Sequence, residues 1–342
     1  MQQDGVSSIV FGNSVSLKYP HRIWLYLFGW PRLFVSGLRL ASDSIAVLEN
    51  DTIVTTHDHI LLLAYKIRRL FSLKVRPYKL KLVLHGFIYT PRSSPLLNRL
   101  RKYYFQHLLT NVAMVICHSK HEVPTISSLV DTNVTKVIPV HFGIGEGSAI
   151  KNWYEAFNAE QKDDETTPPY SIVSAGRSSR DYETLAKAVA AAPENIRCDI
   201  ICDNIVTAPK GLESERVKIH RSIYGDAYGK MLIDADIVAV PLSEENISAG
   251  QMVLLHALAA AKPVIITHTP TSAEYVAESD LIKLVPQKDP RALVIAIKEL
   301  CNQFPLSFEK RMHQRQLFED HFSDNAHGNA VFAAYKKHLF KT

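Results

Sequence analysis

Two arginines and a run of small residues carry the most suggestive chemistry in this 342-residue chain. Arg177 follows Gly176 at the end of an apolar run, YSIVSAG (170–176), and Arg180 lies three residues on. Further along, Ser248, Ala249 and Gly250 open the segment SAGQMVLLHALAAA, just beyond a second apolar run, ADIVAVPL (235–242). Small residues at a helix start let backbone N–H groups approach an anion, and the helix dipole adds positive potential. Guanidinium groups at the same sheet edge would offset the charge that builds on a departing phosphate. The same letters also describe an N-cap serine and a closely packed glycine, so the pattern leaves both readings open.

His57, Asp58 and His85 form a second set. His57 and Asp58 follow a short β-branched run, DTIVTT (51–56), where an acid–base role is plausible, and His85 ends the apolar run within KLVLHGF (81–87). A lone histidine there is as readily structural, and Arg180 with Asp181 could equally be a surface pair at a helix start. No Asp-x-Asp cluster stands near either cleft edge, beyond the carboxyl ends of these runs, so no metal and no cofactor are expected. Of the four cysteines, Cys198 and Cys202 share one face of an apolar strand, CDIIC. With Cys117 and Cys301 they read as buried free thiols.

These residues need elements to hold them. Strand-like runs at 51–56, 81–87, 112–119 and 136–144 alternate with helix-like spacing in the first half. A polar stretch with Pro168 and Pro169 then interrupts the pattern. The alternation restarts with strands at 170–176, 198–202, 217–220, 235–242 and 262–267, and helices at 180–192, 250–261 and 289–300. Strands alternating with helices predict parallel sheets covered on both faces, with ligands just beyond the strand ends. The expected organisation is residues 1–150 as a first Rossmann-like domain, 151–169 as a linker and 170–342 as a second. The last helix is expected to cross back to the first domain.

Charge is unevenly spread. Residues 1–150 carry 17 Lys and Arg against 8 Asp and Glu, whereas the whole chain stands at +5. A basic first half suits an anionic partner such as a lipid headgroup or a lipid-linked diphosphate. Nucleic acid is excluded as a partner, since no finger, aromatic RNA-binding signature or arginine-rich tail is present. Met1–Ser8 does not read as a signal peptide, and no run of about 20 apolar residues spans a bilayer. The aromatic–basic segment 19–40 reads either as an interfacial membrane contact or as core with a basic rim. The expected location is cytoplasmic, peripheral on the inner membrane face.

SAGQMVLLHALAAAKPVIIT resembles the donor-site segment of the family-4 glycosyltransferases. SAGRSSRDYETLAKAV resembles the strand, loop and helix that open the same domain in that family. LVLHGF, VICHSKHEV and PVHFGI resemble first-domain and crossover segments, and the resemblance extends over about 51–322. It implies an α/β GT-B fold, two Rossmann-like domains facing each other across a cleft. It further implies a retaining transfer from a nucleotide-diphosphate sugar to a polysaccharide, lipid-linked or other glycan acceptor.

On this resemblance His85, Arg177 and Asp58 are the candidate catalytic groups. Gly176, Arg177, Arg180, Ser248, Ala249, Gly250, Gln251 and His256 are the candidate donor-binding groups. The family often carries two glutamates eight positions apart; here those positions are Ser248 and His256, with Glu244 and Glu245 just upstream. The departure marks a divergent subgroup with Ser-Ala-Gly-Gln. It also keeps open a nucleotide-sugar epimerase of the same fold, or a catalytically degenerate GT-B binding protein. The Gly-rich first turn common in the family has only Phe11–Gly12–Asn13 as a counterpart.

Overall fold

The computed structural model describes residues 34–35, 38, 53–70, 81–89, 94–160, 167–177, 179–202, 211–245, 248–276 and 279–340. The aromatic–basic segment 19–40, nearly all of it, and Phe11–Gly12–Asn13 lie outside the described residues. The chain divides into two compact units. The first is residues 1–117, 123–138 and 341–342; the second is 118–122 and 139–340.

The first unit holds a four-stranded sheet in the order β1 (Ile53–Thr56), β2 (Lys81–His85), β3 (Met114–Cys117) and β4 (Lys136–Pro139). β1, β2 and β3 pair in parallel, Val54 opposite Leu82 and Leu84 opposite Val115. Helices α1 (His59–Leu70), α2 (Pro95–Leu108) and α3 (Val123–Ser127) connect these strands. Leu62 and Tyr65 of α1 and Phe105 and Leu108 of α2 pack with Leu82, Leu84 and Val115. β3 is buried along its whole length, the usual state of a strand covered on both faces.

The second unit holds six parallel strands in the order β10-β9-β8-β5-β6-β7. They are β5 (Tyr170–Ala175), β6 (Ile196–Cys202), β7 (Val217–Arg221), β8 (Ile237–Val240), β9 (Val264–Thr267) and β10 (Ile282–Val285). Leu84 and Val173 therefore lie in separate sheets, as two Rossmann-like domains require. The connecting helices are α5 (Tyr182–Ala191), α6 (Gly225–Asp234), α7 (Gln251–Ala259), α8 (Pro270–Ala273) and α9 (Pro290–Cys301). Asp289 caps α9 through the amides of Arg291 and Ala292, with Pro290 as first helical residue. One apolar layer joins α7 to Leu232, Tyr275 and Phe318; the other joins α5 and α9 to the opposite sheet face and takes in Cys198 and Cys202. None of the four cysteines is in a disulfide, and Cys301 is only half-buried.

The span 151–169, expected as a linker, begins inside α4 (Gly147–Glu160). Its aromatic residues recur at helical spacing and are gripped by cations of α10 (Phe308–His321). Arg311 lies 5.1 Å from the Trp153 ring centre and 4.3 Å from that of Phe157, while Arg315 lies 3.9 Å from that of Tyr154. Arg315 also pairs with Glu146 and Glu319. The final helix, α11 (Asp324–His338), groups with the second unit.

Candidate functional site

Strand order locates the site. The chain runs outward from β5 through β6 to β7, then returns to the other side of β5 with β8. The carboxyl ends of β5 and β8 flank the point where the order reverses, and open α/β sheets bind ligands there. Ile172 pairs with Ile237 and Ser174 with Ala239, so the two strands end side by side.

The loops beyond these strands are laced together. Asp181 N–H donates to Pro241 O at 3.1 Å and Ser243 N–H to Ser179 O at 3.0 Å, flanking a bridge between Arg180 and Leu242. Leu242 N–H is held by Thr267 Oγ1 at 2.9 Å, which adds the end of β9. Asp181 caps α5, accepting from the backbone and hydroxyl of Thr184, so it does not pair with Arg180 as a surface couple.

The two arginines part company here. Arg177 is exposed at the loop tip. Arg180 folds back, donating from Nε to Ala175 O at 2.8 Å. Its guanidinium lies against Gly176, where an added Cβ would come within 2.5 Å of it, and Gly176 itself sits at φ +131°. Burial lowers the Arg180 pKa, countered by the neighbouring phenols of Tyr182 and Tyr228. Those phenols are pushed up by their own burial, with Arg180 opposing. Arg180 therefore supports the loop from beneath, with Tyr182 Oη donating to Gly176 O at 2.6 Å.

Gly250 is the N-cap of α7 at φ +89°, a left-handed conformation that disfavours any side chain, and no side chain caps the helix. Its missing Cβ would point at Val240 Cγ1, 2.8 Å away, and at Leu242. The glycine thus serves contact between helix and strand rather than opening space for a ligand. Ala249 is buried beside it. Ser248 is not the cap; its amide donates to Glu122 Oε1 at 3.3 Å. The buried Glu122 also accepts from His118 N–H at 3.2 Å. Burial raises its pKa, against the bonds from Ser248 and the backbone.

Gln251 is the first residue of α7, only 8% exposed, and its buried Nε2 has no hydrogen-bond partner among the described residues. It sits beside the outward-pointing amides of a helix start. His256 does not join it. Its ring meets Tyr228 Oη at 3.4 Å and bonds the backbone of Gly145, tying α7 to α6 and the turn before α4. Burial holds its pKa below the ordinary histidine value. Glu244 and Glu245 are exposed, and Glu245 lines a shallow pocket with His268, Val285 and Gln287.

In the first unit, buried His85 ends β2 with its ring 4.6 Å from that of His57. Asp58 caps α1, its Oδ1 accepting from Ile60 N–H at 2.6 Å. The expected acid–base carboxylate is thereby occupied as a helix cap.

A carboxylate not singled out in the sequence also shapes the second unit. Glu274, just after α8, accepts from Ser119 Oγ at 2.5 Å, Lys120 N–H at 2.9 Å and His121 N–H at 3.2 Å. Burial favours its neutral form, but these bonds outweigh it and hold the pKa below the usual carboxylate value. His141 stands 3.6 Å away, its own pKa lowered by burial against the pull of Glu274. Glu274→Gln is expected to destabilise the protein by about 1–3 kcal/mol at neutral pH. A depressed folded-state pKa stabilises above the unfolded value and is lost as pH falls through the folded one. Urea titrations from pH 7 down to 3 should therefore show the two proteins converging at the acid end. A constant gap would refute this role.

Among the described residues no group of three or more His, Cys, Asp or Glu is placed to hold a metal ion. No helix among them is long and apolar enough to cross a membrane.

Residues 170–303 match the model of a protein family described as glycosyl transferases group 1. No curated protein matches the chain by sequence. Among solved structures, a glycosyltransferase from Rickettsia africae is similar over 91% of this chain and 83% of its own, at 15% identity and TM-score 0.64. HepE from Anabaena, in complex with UDP-glucose, is similar over 83% and 78%, at 14% identity and TM-score 0.61. Sucrose-phosphate synthase from Thermosynechococcus elongatus is similar over 90% and 79%, at 17% identity and TM-score 0.60. The two parallel-sheet, Rossmann-like domains are those of the GT-B fold.

Proposed function

We propose that the chain is a glycosyltransferase that moves a sugar from a nucleotide-diphosphate donor to a polysaccharide, lipid-linked or other glycan acceptor, with retention of configuration. The observation that carries this reading is the edge where β5 and β8 end. Two laced loops present exposed Arg177, and the Gln251 amide, without a hydrogen-bond partner among the described residues, is buried at the start of α7. The family match to glycosyl transferases covers that same domain, and the similar HepE structure is in complex with UDP-glucose. In this reading the bond from the anomeric carbon to the diphosphate oxygen breaks, with both electrons leaving on the diphosphate. The acceptor oxygen takes its place and its proton passes to the departing phosphate. Arg177 and the first-turn amides of α7 stabilise the charge that appears there, and Gln251 bonds a phosphate or sugar oxygen. On the family resemblance, His85 is kept as a candidate catalytic group. Arg180, His256 and Asp58 hold the framework. Work at the inner face of a membrane, in polysaccharide biosynthesis, fits a lipid-linked acceptor.

A second reading is a degenerate protein that binds the donor without turnover. The absence of both motif glutamates, and the capture of the Ser248 amide by Glu122, favour it. A thermal-shift screen against UDP-, GDP- and dTDP-sugars tests the shared premise. One nucleotide series should raise the melting temperature, since a ligand at about 100 times its Kd adds about 2.7 kcal/mol. No shift with any of them would refute donor binding. A shift with no transfer to a lipid or glycan extract would select the second reading.

A further inference from the structure

Helix α2 carries its apolar residues on the wrong side for a helix that only packs on a sheet. Its inner face is complete, with Phe105 and Leu108 buried and Arg101 lying 5.4 Å from the ring centre of Tyr89. On the outer face Leu96 is 67% exposed, Leu97 57%, Leu100 57% and Tyr103 62%. At about 100° per residue, Leu96, Leu100 and Tyr103 form one stripe, with Leu97 along one border. Exposed Arg99 and Lys102 run along the other border. Single exposed leucines are ordinary, but a contiguous row of them marks an interaction surface.

Charge says what covers it. From Asp58 to Glu122 the sequence contains no intervening Asp or Glu, but twelve Lys and Arg. The partner is therefore anionic, and it must also accept leucine side chains. A phosphate surface over hydrocarbon does both, whereas a nucleic-acid backbone offers the leucines nothing. We propose that the outer face of α2 docks on an anionic phospholipid bilayer, with Leu96, Leu100 and Tyr103 entering the headgroup–acyl boundary and Arg99 and Lys102 at the phosphates. This surface acts through binding alone and stands whether or not the donor site turns over.

Cosedimentation of the full chain with vesicles of phosphatidylcholine, with or without about one-third phosphatidylglycerol, tests it at low salt. The wild type should bind the anionic vesicles and release them as salt rises. The Leu96→Ser, Leu100→Ser pair should weaken binding at least about tenfold. Arg99→Gln with Lys102→Gln should weaken it about fivefold per charge, on anionic vesicles only. Ile295→Ser, on the exposed face of α9, is the control and should bind as wild type. All these sites are exposed, so unchanged melting temperatures should accompany the losses. Equal binding to neutral and anionic vesicles overturns the proposal, as does wild-type binding by the leucine variant. Two further outcomes also overturn it. One is a leucine variant that turns a sedimenting dimer into a monomer, which assigns the face to a second copy. The other is duplex RNA binding that depends on the charges but not on the leucines.

Discussion

Arg177→Ala should lower sugar transfer by roughly 10²–10³-fold, the usual cost of removing one well-placed donor from a developing anion. Its melting temperature should be nearly unchanged. Arg177 is exposed at the tip of the loop after β5, whereas the bonds that build the loop belong to its neighbours. Arg180 provides the contrast. Its Nε is committed to Ala175 O and its guanidinium covers Gly176, so Arg180→Ala should lose stability together with activity. Steady-state kinetics and a thermal melt on the two variants separate these outcomes. Undiminished transfer by Arg177→Ala would remove it from the site.

Gly250→Ala should destabilise the second unit by about 2–5 kcal/mol. A non-glycine residue held at φ +89° costs about 1–2 kcal/mol. The new Cβ would also fall 2.8 Å from Val240 Cγ1, a buried branched side chain that cannot swing aside. Overpacking of that kind costs about 1–3 kcal/mol more. Relief requires α7 to lift from β8, which would move its first-turn amides and Gln251 away from the end of β5. Loss of stability and loss of donor binding should therefore appear together, read by urea titration and by the thermal-shift screen. A variant as stable as the wild type would contradict the packing described for this glycine.

The strands were legible because each is a short apolar, β-branched run, and a buried parallel strand leaves little else in its sequence. The runs at 81–87, 170–176 and 262–267 became β2, β5 and β9 within a few residues. Helix α4 is masked in the sequence by polar residues and Pro168–Pro169, although Ile150, Trp153, Tyr154 and Phe157 recur at helical spacing. At Gly250 the sequence shows that a side chain is absent, not that it would have pointed at Val240 and Leu242. The same limit applies to Arg180 and His256. Their positions along the chain suit a ligand, but their side chains turn to Ala175 and to Tyr228 and Gly145. Asp58 stands directly before an apolar helical run, so its capping role was readable. Glu122 and Glu274 left no local signal, since each bonds residues more than 120 positions away.

In the proposed site, the edge shared by β5 and β8 receives a diphosphate, gripped by Arg177 and the start of α7. Calorimetric titration with a nucleoside diphosphate and its monophosphate, on wild type and Arg177→Ala, tests it most directly. The diphosphate that stabilises the protein in the thermal screen should bind the wild type at least about tenfold more tightly than the monophosphate, since its second phosphate meets a guanidinium. Arg177→Ala should erase most of that difference while leaving monophosphate binding nearly intact. Equal affinity of the two nucleotides for the wild type, or a full difference retained in Arg177→Ala, would contradict the site.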